Sequence, residues 1–181
     1  LMKLLFIDKS TAAEIEYFWS GAVTKESATI SVASNTAAKI RVQYSDSKSF
    51  KRNKLYTKSK KTSDKSNYFS KYKLLNLKPQ KTYYYRFSVD GVLNKNEVGK
   101  FQTHSDKPFS YEITLATCAT TGSNNPVFDR IREEKSLFYL MLGDFNYGNI
   151  RRDCEDNFLT YYRATLGSKK QSKLYQNTPI A

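Results

Sequence analysis

From Tyr17 to about His104 the chain alternates apolar and polar residues in short runs separated by polar turns, the period-two pattern of half-buried β-strands. The first run is YFWSGAV. In SATISVAS the alternation sets Ala28, Ile30 and Val32 on one face, and in KIRVQYS it sets Ile40, Val42 and Tyr44 against Arg41 and Gln43. NYFSKYKLLNL and TYYYRFSVDG follow, and GKFQTH closes the series. Roughly seven short strands in about 90 residues predict a β-sandwich. At HSDKPFS the rhythm changes, with Pro108 in a polar connector. YEITLATC predicts a buried strand ending at Cys118, ATTGSNN a loop, and Asn125-Pro126 a helix start, a capping residue before proline at the first helical position. PVFDRIREEK then places Val127, Phe128 and Ile131 on one side of a helix. SLFYLMLGD is apolar nearly throughout, as a parallel strand covered on both faces would be. DNFLTYYRATLG predicts a helix stopped at Gly167, and SKKQSKLYQN a further turn or short helix. The order β-α-β implies a parallel pair with a right-handed crossover.

One phrase refines the sandwich. LKPQKTYYYRFSVDG, Leu77 to Gly91, has a leucine, a proline turn and a tyrosine-bearing strand. It resembles the E–F corner of fibronectin type III domains, where a tyrosine hydroxyl bonds back to upstream backbone. Alternation alone leaves Tyr83, Tyr84 and Tyr85 all open for that role. Such sandwiches serve many purposes, so the resemblance concerns fold and not chemistry.

Composition narrows the class. The 181 residues are 39% hydrophobic and 14% aromatic, enough apolar surface for a globular core. No apolar run approaches the ~20 residues of a membrane span. The opening LMKLLFIDKS is cut short by Asp8 and Lys9, whereas an export signal needs an apolar core of roughly 7–15 residues; no intact signal peptide is expected in this chain. The net charge is +13, and between Lys48 and Lys73 lie ten basic residues and the single acid Asp64. This stretch, 48–73, suits an anionic partner such as nucleic acid, an anionic surface or a phosphorylated substrate. Its plainer reading is a solvated strand pair and loop. That reading is favoured over nucleic-acid binding, because the aromatics alternate as strand residues do and no RNA-binding signature accompanies them. Cys118 and Cys154 are too few for a disulfide framework. They form either one bridge or two separate thiols.

The candidate chemistry lies at the ends of the two buried strands. Ligands of open α/β sheets bind beyond the carboxyl ends of the strands, and here those ends carry Cys118 and Gly143-Asp144. Tyr147 follows in a tight turn that Gly148 helps to permit. Thiolate, carboxylate and phenolate at neighbouring tips are a donor set for a metal ion. Each has a plainer role taken singly: a cysteine as small apolar filling, an aspartate as a cap, a tyrosine as packing. Their shared position favours a joint role.

The G-D-x-x-Y pattern at Gly143, Asp144 and Tyr147, after an apolar strand, resembles a motif of the metallophosphatase superfamily, which includes the purple acid phosphatases. Cysteine at the end of the first core strand, in LATC, resembles the alkaline phosphatase D (PhoD-like) family. Members of that family carry a β-sandwich ahead of the catalytic domain. FWSGAVTKESATISV, TYYYRF, GKFQT and FLTYYRATLGSKKQSKLYQNTPIA match in the family's order, from about Tyr17 to Ala181. The resemblance implies a phosphoric ester hydrolase acting on phosphate mono- or diesters. It implies that Cys118 and Tyr147 bind ferric iron (Fe3+), with Asp144 bridging to calcium (Ca2+). It also implies a secreted or periplasmic enzyme, where a Cys118–Cys154 disulfide is chemically permitted; iron ligation by Cys118 excludes that bridge.

The family continues past NTPIA into an Asp-Asp-His motif carrying further ligands, and this chain stops at Ala181. His104, the single histidine, lies at the end of the sandwich and is expected to be exposed rather than to substitute for them. The expectation is therefore an N-terminal extension over 1–15, a fibronectin type III-like sandwich over 16–105, and the first part of an α/β metallophosphatase domain over 106–181. By itself it is expected to be inactive, to hold its metals weakly, to contain no catalytic group beyond the three ligands, and to partner the rest of the catalytic domain. The alternative is a non-enzymatic fibronectin-like adhesion or binding module.

Overall fold

A computed structural model describes residues 12–152 and 154–181. The predicted extension 1–15 falls outside them except for its last four residues. The chain is mainly β, with a fibronectin-like sandwich, a small parallel strand pair and three helices among the described residues. Strands β1 (Ile15–Gly21), β2 (Ala28–Ser34) and β6 (Phe69–Leu74) form one antiparallel sheet in the order β1-β2-β6. The facing sheet is built on β3 (Lys39–Ser45) and β7 (Thr82–Val89). Two-residue strands β4 (Leu55–Tyr56) and β5 (Lys60–Lys61) flank β3, while β8 (Val92–Leu93) and β9 (Gly99–Gln102) flank β7.

The predicted faces close the core. Ile30, Val32, Ile40 and Val42 are fully buried, with Phe18, Tyr85, Phe87 and Phe101 among them. Burying one such side chain contributes roughly 1.5–3 kcal/mol relative to leaving it in water. The Tyr72 hydroxyl donates to Ile40 O across the two sheets at 2.7 Å, and burial pushes its pKa up to about 12. The corner tyrosine is Tyr83: its hydroxyl accepts the Lys78 N–H, five residues upstream, at 2.9 Å. Gln43 departs from the alternation. It is buried rather than solvent-facing because its side chain is bracketed by polar partners, accepting from Arg86 Nε at 2.6 Å and donating to the Tyr56 hydroxyl.

Beyond the sandwich lie β10 (Ile113–Ala116), α1 (Val127–Glu133), β11 (Phe138–Met141), α2 (Glu155–Gly167) and α3 (Lys169–Asn177). β10 and β11 pair in parallel, from Ile113↔Phe138 to Ala116↔Met141. Asn125 Oδ1 accepts the Val127 N–H at 3.0 Å, so it caps α1 across Pro126 as its sequence position suggests. The buried face of α1 is Phe128 with Ile131, whereas Val127 is 48% exposed. The parallel pair is also more open than its apolar sequence predicts. A second core takes up Ala116, Tyr139 and Met141, leaving Ile113 and Leu115 on the other face 41% and 53% exposed.

The second core joins the site-bearing unit to the sandwich. Tyr17, Ala33, Phe128, Tyr139, Leu166, Leu174 and Tyr175 form it, with Trp19, Phe69 and Phe145 packed against them. β1 therefore feeds both cores, Phe18 on its inner face and Tyr17 and Trp19 on its outer one. The final residues complete the connection. Tyr139 N donates to Pro179 O at 2.8 Å and Ala181 N to Tyr139 O at 3.0 Å, while Ile180 N donates to Ser20 O at 2.9 Å. Residues 179–181 thus lie between β11 and β1 and make one continuous sheet of the parallel pair and the sandwich layer.

Candidate functional site

The ladder between the parallel strands continues past their ends and sets the tips side by side. Leu142 N donates to Ala116 O at 2.8 Å, Cys118 N to Gly143 O at 3.4 Å, and Ala119 N to Asp144 O at 3.2 Å. Cys118 and Asp144 both adopt left-handed backbone, φ 60° and 49°, and Gly143 between the strand and the aspartate has φ 136°. Left-handed conformation is unfavourable for a residue with a Cβ. Its occurrence at two facing tips is the kind of local strain that clusters at functional sites.

The three predicted residues meet. Cys118 Sγ donates to Asp144 Oδ2 at 3.4 Å, and the Tyr147 hydroxyl donates to the same oxygen at 3.0 Å. One carboxylate oxygen is the focus of the crevice, with the thiol and phenol on it and all three side chains exposed. The Tyr147 pKa is raised, first by the adjacent Cys118 sulfur and then by the hydrogen bond to Asp144, since negative charge on either neighbour disfavours loss of the phenol proton. Among the described residues no three His, Cys, Asp or Glu side chains gather into a metal-holding group; the third donor here is a tyrosine.

Two threonines hold this arrangement, and the hydrophobic pattern singled out neither. Thr121 Oγ1 donates to Tyr147 O at 2.8 Å and accepts the Tyr147 N–H at 2.7 Å, fixing the backbone that carries the phenol. Thr117 Oγ1 donates to Gly143 O at 3.2 Å and lies 3.3 Å from Cys118 Sγ. Both sit in the ATTG loop or at its edge, where short hydroxyl side chains bond readily to backbone. Gly148 differs from expectation. It does not need left-handed backbone; a Cβ there would stand 2.6 Å from ring carbons of Tyr161 on α2, so glycine lets helix and loop approach.

The remaining candidates lie elsewhere. His104 belongs to the sandwich, its N–H donating to Thr24 O at 3.2 Å and its carbonyl accepting from Gln80, and it is half-buried rather than exposed. Both cysteines are free thiols and exposed, and Cys154 precedes α2. No helix of the described residues is long and apolar enough to cross a membrane.

Comparison with known proteins bears on the fold of the chain. The family described as PhoD-like phosphatase, N-terminal domain, matches residues 17–105. A solved structure of PhoD superposes with a TM-score of 0.74 at 15% identity, covering 92% of this chain and 38% of that one. The chain thus spans well under half the length of the PhoD structure. The sensor domain of the anti-sigma factor RsgI4 of Pseudobacteroides cellulosolvens matches at TM-score 0.42 and 20% identity, over 53% of this chain and 98% of that one. A human contactin 1 fibronectin domain matches at TM-score 0.35 and 12% identity, over 61% and 95%. No curated protein matches the chain.

Proposed function

We propose that this chain, which carries the N-terminal domain of the PhoD-like phosphatases over residues 17–105, serves a phosphoric ester hydrolase whose metal centre is begun by Cys118, Asp144 and Tyr147. The observation that carries the reading is the convergence of Cys118 Sγ and Tyr147 Oη on Asp144 Oδ2. The donor chemistry fits the implied metals: a thiolate and a phenolate suit ferric iron, and a carboxylate oxygen suits both iron and calcium. Cys118 and Tyr147 would hold the iron, with Asp144 shared between it and calcium. When bound, such ions supply positive charge to the phosphoryl oxygens of a mono- or diester.

The chain's own residues have separate tasks. Asp144 Oδ2 accepts two hydrogen bonds, and Cys118 and Tyr147 would have to give up those protons to serve as thiolate and phenolate donors. Thr121 keeps Tyr147 in position, and Thr117 ties the cysteine loop to the aspartate loop. Three donors are too few to retain two ions tightly, so the reading requires further ligands from the rest of a catalytic domain. The exposed apolar face of Ile113 and Leu115 is suited to packing against it. The reading also places the enzyme outside the cytoplasm, secreted or periplasmic.

The test is iron and calcium content per chain, with turnover of an artificial phosphodiester, in a protein of the full length of the PhoD structure. Cys118→Ala is expected to abolish both iron binding and hydrolysis. Undiminished turnover in that variant rejects the assignment of the site; a full-length protein with neither metal nor turnover would leave a fibronectin-like binding module as the better description.

A further inference from the structure

The lysine-rich stretch has no part in the metal site, and its placement is unusual. All ten of its basic residues, nine lysines and Arg52, are exposed. Lys39 on β3 stands directly opposite Lys61 on β5, a like-charge cross-strand pair that works against the sheet. Lys60 Nζ donates to Lys71 O, which brings the edge of one sheet against β6 of the other. Lys71 and Lys73 alternate with inward-facing Ser70, Tyr72 and Leu74 and so point to solvent. Lys60 thus closes the edge where β5 and β6 meet, with Lys39 and Lys61 facing outward from one sheet beside it and Lys71 and Lys73 facing outward from the other. Among the described residues no ion pair involves any of them. Asp90, the neighbouring acid, accepts the Lys39 backbone N–H at 2.8 Å.

A fold gains nothing by massing unpaired lysines, so a partner with negative charge is the physical counterpart. Several of the aromatic rings here already have a face covered, although Tyr56 is itself 48% exposed. Tyr56 lies under Arg41 at 4.6 Å, Phe50 under Arg86 at 4.0 Å, and Tyr72 is buried beneath Lys60. Single-strand binders instead offer free aromatic platforms. The charge is carried by lysine, a point charge on a long apolar stem. Leu55, beside Lys54, is 48% exposed, and Leu75, following Lys73 and Leu74, is 54% exposed. Lysines with protruding leucines suit a headgroup layer, where charge attracts and apolar tips enter the boundary. We propose that the Lys39–Lys73 edge of the sandwich docks the protein on an anionic phospholipid membrane.

The experiment is co-sedimentation of the 181-residue chain with vesicles of phosphatidylcholine alone and of an equal mixture of phosphatidylcholine and phosphatidylglycerol. Binding is expected to the mixed vesicles only and to disappear in high salt. The quadruple variant Lys39→Gln, Lys61→Gln, Lys71→Gln, Lys73→Gln should bind at least about tenfold more weakly. A control with the same charge loss elsewhere, Lys95→Gln, Lys107→Gln, Lys135→Gln, Lys169→Gln, should stay within about twofold. Equal loss in both variants would reduce the effect to net charge and overturn the proposal. Equal binding to neutral vesicles, or tighter binding to a single-stranded oligonucleotide than to mixed vesicles, would also overturn it. Folding is checked with Lys39→Gln, Lys61→Gln alone, which removes the like-charge pair and should melt no lower than wild type. A lower melting temperature would show that the lysines serve the fold, and the proposal would fall.

Discussion

Thr121→Val tests whether the phenol of the site is held from below. The substitution keeps the branched shape and deletes one hydroxyl, and with it two hydrogen bonds to Tyr147, at 2.7 Å from its N–H and 2.8 Å to its carbonyl. Each such bond contributes about 0.5–1.5 kcal/mol net of its exchange with water. Tyr147 is exposed, so water recovers part of the loss, and about 1–2 kcal/mol remains for local opening. That is a factor of about 5–30 in the opening equilibrium. Amide hydrogen exchange reads it directly: the Tyr147 amide should lose protection by that factor. Global stability to urea should fall by less than about 1 kcal/mol, since loops open independently of the core. Thr120→Val, whose side chain is exposed, is the control and should change nothing at Tyr147. Unchanged Tyr147 exchange in Thr121→Val would refute the reasoning, because the phenol would then be positioned without the threonine.

Two further predictions concern the frame. Tyr83→Phe strands the Lys78 N–H at the corner and should cost about 1–3 kcal/mol, lowering the melting temperature by about 2–4 °C for each kcal/mol; Tyr84→Phe should be near neutral, and equal melting of the two variants would remove Tyr83 from the corner role. Asp129 bonds Lys170 on α3 at 2.8 Å, and that bond, with the nearby Arg132 charge, lowers its carboxyl pKa. A lowered folded pKa gives stability that is present above the unfolded value of about 4 and is lost as pH falls through the folded value. Asp129→Asn should therefore flatten the acid limb of the stability curve, and an unaltered limb below about pH 4 would contradict the linkage.

The alternation is most legible for the face that lines the sandwich core, although β2 also buries Ser31 and Ala33 on its other face. In β2 and β3, Ala28, Ile30, Val32, Ile40 and Val42 fall inside as the alternation places them, because a one-residue slip would put every side chain on the wrong face. It was silent on β4, β5 and β8, since two residues hold no period. Gln43 was misplaced because composition cannot announce that Arg86 and Tyr56 would satisfy a buried amide. The apolar run of β11 suggested cover on both sides, yet length and hydropathy do not say which element supplies the second cover. That Cys118, Asp144 and Tyr147 come together is legible from their position at neighbouring strand ends. Thr121 was not, because its role is a bond to the backbone of a residue 26 positions away, a contact that only the paired loops create.

That last contact suggests why a sandwich accompanies this crevice at all. A two-stranded parallel unit has too little apolar surface to fix its loops alone. Here β11 gains a neighbour through Pro179–Ala181, and that segment is itself held by β1, whose Ser20 carbonyl takes the Ile180 N–H. β1 in turn is locked by Phe18 in one core and Tyr17 and Trp19 in the other. The tips bearing Cys118 and Asp144 in left-handed backbone therefore rest, through one continuous sheet, on the most buried part of the molecule. Strained backbone persists only where its surroundings over-determine it. In this chain the over-determination comes from the sandwich, which makes it part of the site's scaffold even though none of its side chains reaches the Asp144 oxygen through a hydrogen bond among the described residues.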